Sequence, residues 1–292
     1  MGRLPEAVLY GGQAVIEGVM MRGPDRMAIA VRRPDGEIGL RVERIESIVR
    51  RYPPLGWPVV RGVVALVETT VLGVSALLYS ANEAAPEEQN LTRGELTATT
   101  VVGVVGGLAL FVALPTWLTG AVRVHAWSPF AANLFEGLVR LALLIGYLKA
   151  VALIPDIERV FQYHGAEHKV INTLEAGEEL TVENARRHSR EHKRCGTSFL
   201  LYVVVISILV YAFLGWQALW LRVLTRLALV PVIAGLAYEF IRFAGRSKHP
   251  LVHLLSRPGM WLQGLTTREP DDAQLEVSIA ALQAARGFGL PG

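Results

Sequence analysis

Two long stretches without a charged residue constrain this chain more than any other feature. Residues 97–122 and 196–221 contain no Asp, Glu, Lys or Arg, and each exceeds the roughly 20 residues that cross the hydrocarbon core of a bilayer. Helices of soluble proteins average about 10–14 residues. Charged residues make up 19% of the chain, against about 25% in soluble domains. The sequence therefore predicts an integral membrane protein whose main partner is the lipid bilayer.

Further apolar segments favour a mainly α-helical, polytopic fold. Residues 59–81 form one apolar helix, in which Arg61, Glu68 and Ser75 recur every seven positions as a single polar stripe. Such a helix can span the membrane, re-enter it or lie in its interface, and we predict that it does not cross. The predicted spans lie near 97–122, 133–154, 196–215 and 221–243.

The N-terminal region is polar and favours β structure. Residues 27–33 are an apolar run that ends in two arginines, and a Pro-Asp-Gly sequence separates them from residues 37–45. This pattern predicts a β-hairpin. Glycines and a proline within 11–24 predict tight turns or close backbone approach. The Lys-Ser/Thr end of a phosphate-binding loop is absent from this segment.

The distribution of basic residues predicts the topology. Lys and Arg number nine in residues 1–57, seven in 155–195 and five after residue 243, whereas the short loops on the other side carry Arg123 and Arg222. This positive-inside pattern places both termini and the 155–195 loop in the cytosol, with the chain in the plasma membrane. Four tryptophans then fall near the outer interface, as an aromatic belt: Trp117, Trp127, Trp216 and Trp220.

The chain accordingly divides into five predicted segments. They are an N-terminal cytosolic Gly-rich and hairpin region (1–57), an interfacial helix with the first spans (58–154), a cytosolic metal-site loop (155–195), the last spans (196–243), and a cytosolic tail with an amphipathic helix near 271–286 (244–292).

A histidine pair in the third segment has the spacing of a metal site. A helix would place His164 and His168 one turn apart on one face, where two imidazoles can bind one Zn²⁺. The order His-x-x-Glu-His is that of the inverted zincins, in which the glutamate is a general base that activates water. The motif predicts a divalent metal, zinc, with Glu167 as catalytic base. Alternatively, Glu167 pairs with Lys169, Arg186 or another cation of the loop.

Further candidate ligands follow in sequence. His192 and Cys195 are three residues apart and are predicted to complete the site, whereas His188 is predicted to be a solvated member of a charged helix over 186–194. Cys195 is the one cysteine, so no intramolecular disulfide forms. It can also be a small buried residue.

Charged residues inside the apolar segments need partners. A carboxylate within a span is costly unless it is paired or coordinates an ion. Glu239 therefore competes with Cys195 as the third metal ligand, and a local ion pair with Arg242 is the alternative. Glu136 and Arg140 are four residues apart and are predicted to pair on one helix face.

Four motifs of this chain resemble those of the YqhQ-like bacterial membrane proteins, a family of unknown function (domain of unknown function 1385). They lie at Gly11–Arg22, Phe161–Lys169, His192–Phe199 and Leu265–Pro270. The resemblance thus runs nearly from end to end. It implies a metal-dependent enzyme of undefined reaction, and the residues that it supports as a site are His164, Glu167, His168, His192 and Cys195. His188 lies outside these motifs.

Two functions remain open from sequence. One is a membrane-embedded metal-dependent hydrolase of peptide or ester bonds. The other is a non-catalytic factor in which a closed zinc site holds a cytosolic loop for binding or assembling other membrane proteins. Structural zinc sites use four protein ligands, whereas catalytic sites leave a position open, so ligand count separates the two. A transporter or channel is disfavoured because charges within the spans are few and mostly near their ends. A net charge of +3 without a basic-aromatic patch excludes a nucleic-acid partner.

Overall fold

The computed structural model describes residues 10–85, 93–121, 127–215, 217–247 and 249–288. Its strands are β1 (Gly11–Val15), β2 (Gly18–Arg22), β3 (Arg26–Arg32) and β4 (Ile38–Arg44). Its helices are α1 (Ile48–Arg51), α2 (Val60–Ala84), α3 (Arg93–Leu108), α4 (Leu114–Ala121), α5 (Pro129–Val151), α6 (Pro155–Glu175), α7 (Val182–Arg187), α8 (Gly196–Ala212), α9 (Leu219–Arg246), α10 (Pro250–Thr266) and α11 (Asp272–Ala285). A π-helical turn, Ala109–Ala113, joins α3 to α4. The mainly helical fold with a small N-terminal β region is confirmed.

The β region is a four-stranded antiparallel sheet in the order β1-β2-β3-β4. The predicted hairpin is present as β3 and β4, with Arg32 opposite Ile38. Its turn contains Gly36 at φ 86°, which glycine adopts without steric cost. The preceding glycine-rich segment forms two further strands rather than a series of turns. Close approach explains its glycines, since a Cβ on Gly18 would lie 2.1 Å from the carbonyl oxygen of Ala30.

The central strands are buried on both faces because side chains alternate across a sheet. One face packs on α6 and α11, and the other packs on α2 through Ala76. Burial of a large apolar side chain contributes about 1.5–3 kcal/mol, so the sheet holds these helices firmly in place. The strand residues facing α6 and α11 are Val19, Met21, Ala28 and Ala30, and those facing α2 are Met20, Met27, Ile29 and Val31.

Three helical segments are long and apolar enough to cross a membrane: α2, Thr97–Ala121 and α9. The predicted spans overlap helical segments of the structure, and residues 59–81 correspond to α2. α8, at 17 residues, is shorter than the three candidates, and α5 qualifies only together with α6. α5 meets α6 at a 102° bend. The bend occurs at Pro155, the first residue of α6, where proline fits the start of a new helix because it lacks an N–H.

The topology itself stays a prediction. α2 passes the same length and composition test as the other candidate spans, although the sequence favours a non-crossing helix there. Arg123, Trp216 and both chain ends, on which the topology prediction also draws, lie outside the described residues.

The C-terminal region differs from its predicted form in two ways. α10 forms where no helix was predicted and continues through Pro258. It packs so closely on α8 that a Cβ on Gly259 would lie 2.7 Å from the hydroxyl of Tyr202. The last helix, α11, starts with a capping box of Asp271 and Gln274. Because it packs on the sheet, α6 and α7 together, it is buried around most of its circumference rather than amphipathic.

Candidate metal centre

Two histidines on α6 form the centre of the site. The ring centroids of His164 and His168 are 4.4 Å apart, as expected for residues one helical turn apart. Gly165 between them lets the chain after α10 approach, since a Cβ there would lie 2.1 Å from the carbonyl oxygen of Arg268. The fourth family-like motif, 265–270, therefore packs directly against the histidine motif.

Cys195 joins the histidine pair from the start of α8. Its Sγ lies 3.3 Å from Nε2 of His164, and one ligand atom from each of His164, His168 and Cys195 lies within 4.8 Å of the others. Sγ also accepts the N–H of Thr197 at 3.3 Å, as the N-cap of α8. A helix N-terminus stabilises negative charge, so this position suits a thiolate ligand.

Backbone carbonyls fix the protonation of both imidazoles. Nδ1 of His164 lies 2.8 Å from the carbonyl oxygen of Thr266, and Nδ1 of His168 lies 2.7 Å from that of Arg190. A carbonyl oxygen can only accept, so each Nδ1 carries a proton, and in a neutral imidazole the lone pair is then on Nε2. Metal-binding histidines show this arrangement, with the second nitrogen held by an acceptor. Both rings are therefore prepared to bind an ion through Nε2.

Glu167 lies beside this group and is 5% exposed. It borders a cavity of about 90 Å³ that His164, His168 and Cys195 also line. Burial raises the pKa of Glu167 to about 7, while the charge of His164 and the amide of Gly12 act in the opposite direction. Glu167 does not belong to the set of mutually close ligand atoms. It is therefore placed next to the ligands rather than among them.

The alternative partners predicted for Glu167 bind elsewhere. Nζ of Lys169 lies 2.7 Å from Glu269, and Arg186 pairs with Asp272. For these two cations, the alternative that Glu167 forms an ion pair is therefore wrong.

Gly12 of β1 shapes the wall beside Glu167. A Cβ there would lie 2.7 Å from the carbonyl oxygen of Met20 and 2.9 Å from Cγ of Glu167. The sequence predicted close backbone approach for this segment, but nothing in it indicated that the approaching group is the carboxyl of the histidine motif.

His192 lies beside the three-ligand group but is not one of its ligands. Its Nε2 lies 3.4 Å from Glu175, and its Nδ1 accepts the N–H of Arg194 at 3.4 Å. Its ring centroid is 5.7 Å from that of His168. Burial lowers the pKa of His192, and the hydrogen bond to Glu175 opposes this effect. The structure thus places His192 next to the site with both nitrogens already engaged.

Gln263 holds the His192 segment, and the sequence analysis missed it. Its side chain accepts the N–H of His192 and donates to the carbonyl oxygen of the same residue, each at 2.9 Å. It also donates to Ser198 at 2.8 Å. An isolated glutamine carries no pattern that would single it out, and α10, on which it lies, was not predicted.

The predicted charged helix over 186–194 is wrong. α7 ends at Arg187, and the chain that follows is irregular. Its carbonyl groups accept hydrogen bonds from side chains of α6 instead of from the backbone of a helix. Lys169 donates to the carbonyl oxygens of Arg186 and His188, each at 2.9 Å. Asn172 donates to those of Ser189 and Glu191. The His188 side chain lies 3.3 Å from Glu178, outside the three-ligand group.

Glu239 is remote from the metal centre, which corrects its predicted role as a competing ligand. Its carboxylate accepts from Nε of Arg61 on α2 at 2.6 Å and from the N–H of Val59 at 3.4 Å. The ion pair therefore joins α9 to α2 instead of forming locally with Arg242. The physical reason is that α2 and α9 pack closely here, since a Cβ on Gly62 would lie 2.9 Å from Cα of Gly235.

Comparisons with known proteins agree with these motifs. Residues 57–287 match the family described as "Protein of unknown function (DUF1385)". The chain is 38% identical over 290 residues to "Uncharacterized protein YqhQ" of Bacillus subtilis (strain 168). This match covers 92% of this chain and 90% of that protein. No solved structure matches. On the length and identity of these matches, the chain belongs to the YqhQ-like family, DUF1385.

Proposed function

We propose that this chain is a membrane-embedded metal-dependent hydrolase of peptide or ester bonds, with a zinc ion held by His164, His168 and Cys195. The observation that supports it is a set of three close ligands beside a buried carboxylate, Glu167, that is not one of them. Catalytic zinc sites use three protein ligands and keep one position for water or substrate.

The donor atoms suit zinc better than harder cations. Two imidazole nitrogens and one thiolate are typical ligands of Zn²⁺, whereas Mg²⁺ and Ca²⁺ prefer oxygen. A free thiol at Cys195 would persist in the reducing cytosol that the predicted topology implies.

Glu167 is positioned to move a proton. An ion in this site would act as a Lewis acid and lower the pKa of water. Glu167 would accept the proton of that water and later give it to the leaving group. A carboxyl group beside the ion can take both roles, first as general base and then as general acid. The small cavity limits bulk solvent around this carboxyl.

A structural zinc site is the second candidate, and the nearby ring of His192 favours it. To become a fourth ligand, His192 would have to leave Glu175. Replacement of His192 by alanine distinguishes the structural zinc site from the catalytic one. A closed four-ligand site would lose metal in this variant, whereas an open three-ligand site would keep it.

We further propose a plasma-membrane location with both termini and the metal centre in the cytosol. The excess of Lys and Arg in the cytosolic segments supports it. A reporter fused after Gly292 should be active inside the cell. Activity only outside the cell would contradict this topology.

The hydrolase proposal is tested with the purified full chain in detergent. The zinc-loaded protein is incubated with a peptide pool and a panel of p-nitrophenyl esters, and its metal content is measured. Glu167→Gln should keep the metal and lower turnover by about 10²–10⁴, the usual contribution of a general acid-base. Glu276→Gln, at an exposed residue of α11 that pairs with Arg32, is the control and should retain activity. Wild-type turnover in Glu167→Gln would refute the role of Glu167.

A further inference from the structure

A second buried polar cluster lies within the helix bundle. The carboxylate of Glu136 on α5 is 1% exposed and accepts from Thr116 at 2.9 Å and from Thr119 at 3.3 Å. It also accepts from Arg140 at 3.0 Å and from Arg226 of α9 at 2.8 Å. The structure thus contains the predicted Glu136–Arg140 pair and adds an arginine that sequence spacing did not connect to it.

Among the residues that the structure describes, this cluster carries more positive than negative charge. Arg140 and Arg226 share the one carboxylate of Glu136. Their other hydrogen bonds go to neutral acceptors, such as the carbonyl oxygen of Phe111 and the amide oxygen of Asn133. Neutral acceptors satisfy hydrogen bonding but leave the net charge unchanged. Excess charge among apolar helices is costly, and intramembrane ionisable residues are for this reason functional candidates.

A third arginine connects the cluster to an open cavity. Arg222 lies one turn before Arg226 on α9, is 3% exposed, and donates to the carbonyl oxygen of Thr116 at 3.3 Å. It lines a cavity of about 470 Å³ together with Gln217 and Trp117. Gly120 borders the same space, and a Cβ there would approach Nη2 of Arg222 to 3.1 Å. The guanidinium is therefore part of the cavity wall.

The cavity and the metal centre lie at opposite ends of α9. Gly245 lies against the side chain of Arg194, which borders the metal centre, since a Cβ on it would come within 3.0 Å of that side chain. Gly245 is 23 positions from Arg222, or roughly 35 Å at about 1.5 Å per residue, about the thickness of a bilayer core. Trp117 and Trp220, 57% and 70% exposed, mark the cavity end, and exposed tryptophans concentrate at membrane interfaces.

We infer that the Arg222 cavity binds a phosphate group, the chemistry shared by anionic lipid headgroups and free phosphate. Guanidinium groups bind phosphate through paired, charge-assisted hydrogen bonds, and an anion here would offset the excess charge of the cluster. This site is independent of the hydrolase proposal, because none of its residues contacts the metal centre.

The test measures unfolding of the full chain by tryptophan fluorescence. The protein is placed in nanodiscs of phosphatidylcholine, with or without phosphatidylglycerol, and in neutral detergent with inorganic phosphate or chloride at equal ionic strength. Two variants perturb the cavity: Arg222→Gln removes the charge, and Ala121→Phe fills the space while keeping every arginine. Arg257→Gln, at an exposed residue of α10, controls for a general loss of positive charge.

We expect a saturable increase in the unfolding midpoint of the wild type and Arg257→Gln. In Arg222→Gln the concentration for half-effect should rise at least about tenfold, as the loss of a charge-assisted hydrogen bond predicts. Ala121→Phe should raise it as well, because the ring takes the space of the phosphate group. A response to phosphatidylglycerol alone identifies a lipid headgroup, and an equal response to inorganic phosphate identifies free phosphate. If Arg222→Gln does not fold, the result for Ala121→Phe decides whether phosphate binds in the cavity. The absence of any phosphate-dependent shift in the wild type, or equal shifts in the cavity variants, would overturn the inference.

Discussion

The metal centre and the Glu136 cluster bury polar groups in contrasting ways. In the metal centre, backbone carbonyls accept hydrogen bonds from Nδ1 of His164 and of His168, so Nε2 of each ring is the nitrogen left for an ion. In the Glu136 cluster, hydroxyl and guanidinium donors surround both oxygens of the carboxylate. One region keeps its ligand atoms available, and the other satisfies its central acceptor.

This difference separates a role in folding from a role in binding. A saturated buried network holds helices together and becomes costly when one member is removed. Atoms that are oriented but not saturated can accept a ligand without breaking existing bonds. The Glu136 cluster combines both features, because its carboxylate is satisfied while its excess positive charge meets a cavity at Arg222.

The largest expected effect is at Glu136. Glu136→Gln keeps the size of the side chain but leaves Arg140 and Arg226 without a compensating charge, and breaking a buried pair in this way costs about 3–5 kcal/mol. The free energy of unfolding in detergent measures the loss. Glu276→Gln, which breaks an exposed pair with Arg32, should cost less than about 1 kcal/mol. Similar losses in the two variants would show that the cluster does not stabilise the bundle.

Zinc should stabilise the metal centre by mass action. At a free zinc concentration of 100 times Kd, the free energy of unfolding should rise by about 2.7 kcal/mol. A chelator should remove this gain. The gain should disappear in His168→Ala and persist in His192→Ala, because the Nε2 of His192 faces Glu175. Thermal unfolding with zinc and with EDTA makes this measurement. A loss in His192→Ala equal to that in His168→Ala would instead indicate a closed four-ligand site.

Adjacent glycines of β1 test how tightly the metal centre is packed. Gly12→Ala should destabilise the protein by about 1–3 kcal/mol, the usual cost of overpacking, because the new methyl group meets both Met20 and Glu167. Gly11→Ala is a matched control, since nothing lies within 4 Å of a Cβ at that position. Chemical denaturation compares the two variants. Equal stabilities would mean that the wall beside Glu167 has room to move.

The smallest expected effect is the acid sensitivity of the contacts around His192. The hydrogen bond from His192 and the guanidinium of Arg194 lower the pKa of Glu175 from 4.5 to about 2. A depressed folded-state pKa stabilises the protein above about pH 4.5, and this contribution is lost as the pH falls toward about 2.

Because the Glu175 side chain is 38% exposed, solvent screening leaves a contribution on the order of 1 kcal/mol or less. Glu175→Gln should therefore be less stable than the wild type near neutral pH and approach it in acid. Unfolding midpoints measured across this range provide the check. A difference that does not change with pH would rule out titration of Glu175 as its cause.

The sequence alone determined the features that depend on local order or on composition. Charge-free runs predicted the apolar helices, because length and polarity decide whether a segment suits a bilayer. The i, i+4 spacing predicted that His164 and His168 share a helix face, and the turn residues predicted the β3–β4 hairpin. Each of these follows from neighbours in the chain, so no long-range contact was needed.

Only the tertiary structure decided which distant groups meet. It paired Glu239 with Arg61, directed His192 toward Glu175 and placed Gly12 against Glu167. It also directed the carbonyls of the chain after α7 to Lys169 and Asn172, which prevented the predicted helix. These outcomes depend on the packing of α2, α6, α9 and the sheet. Sequence spacing fixes which groups share a face of one element, but packing between elements decides which groups that face contacts.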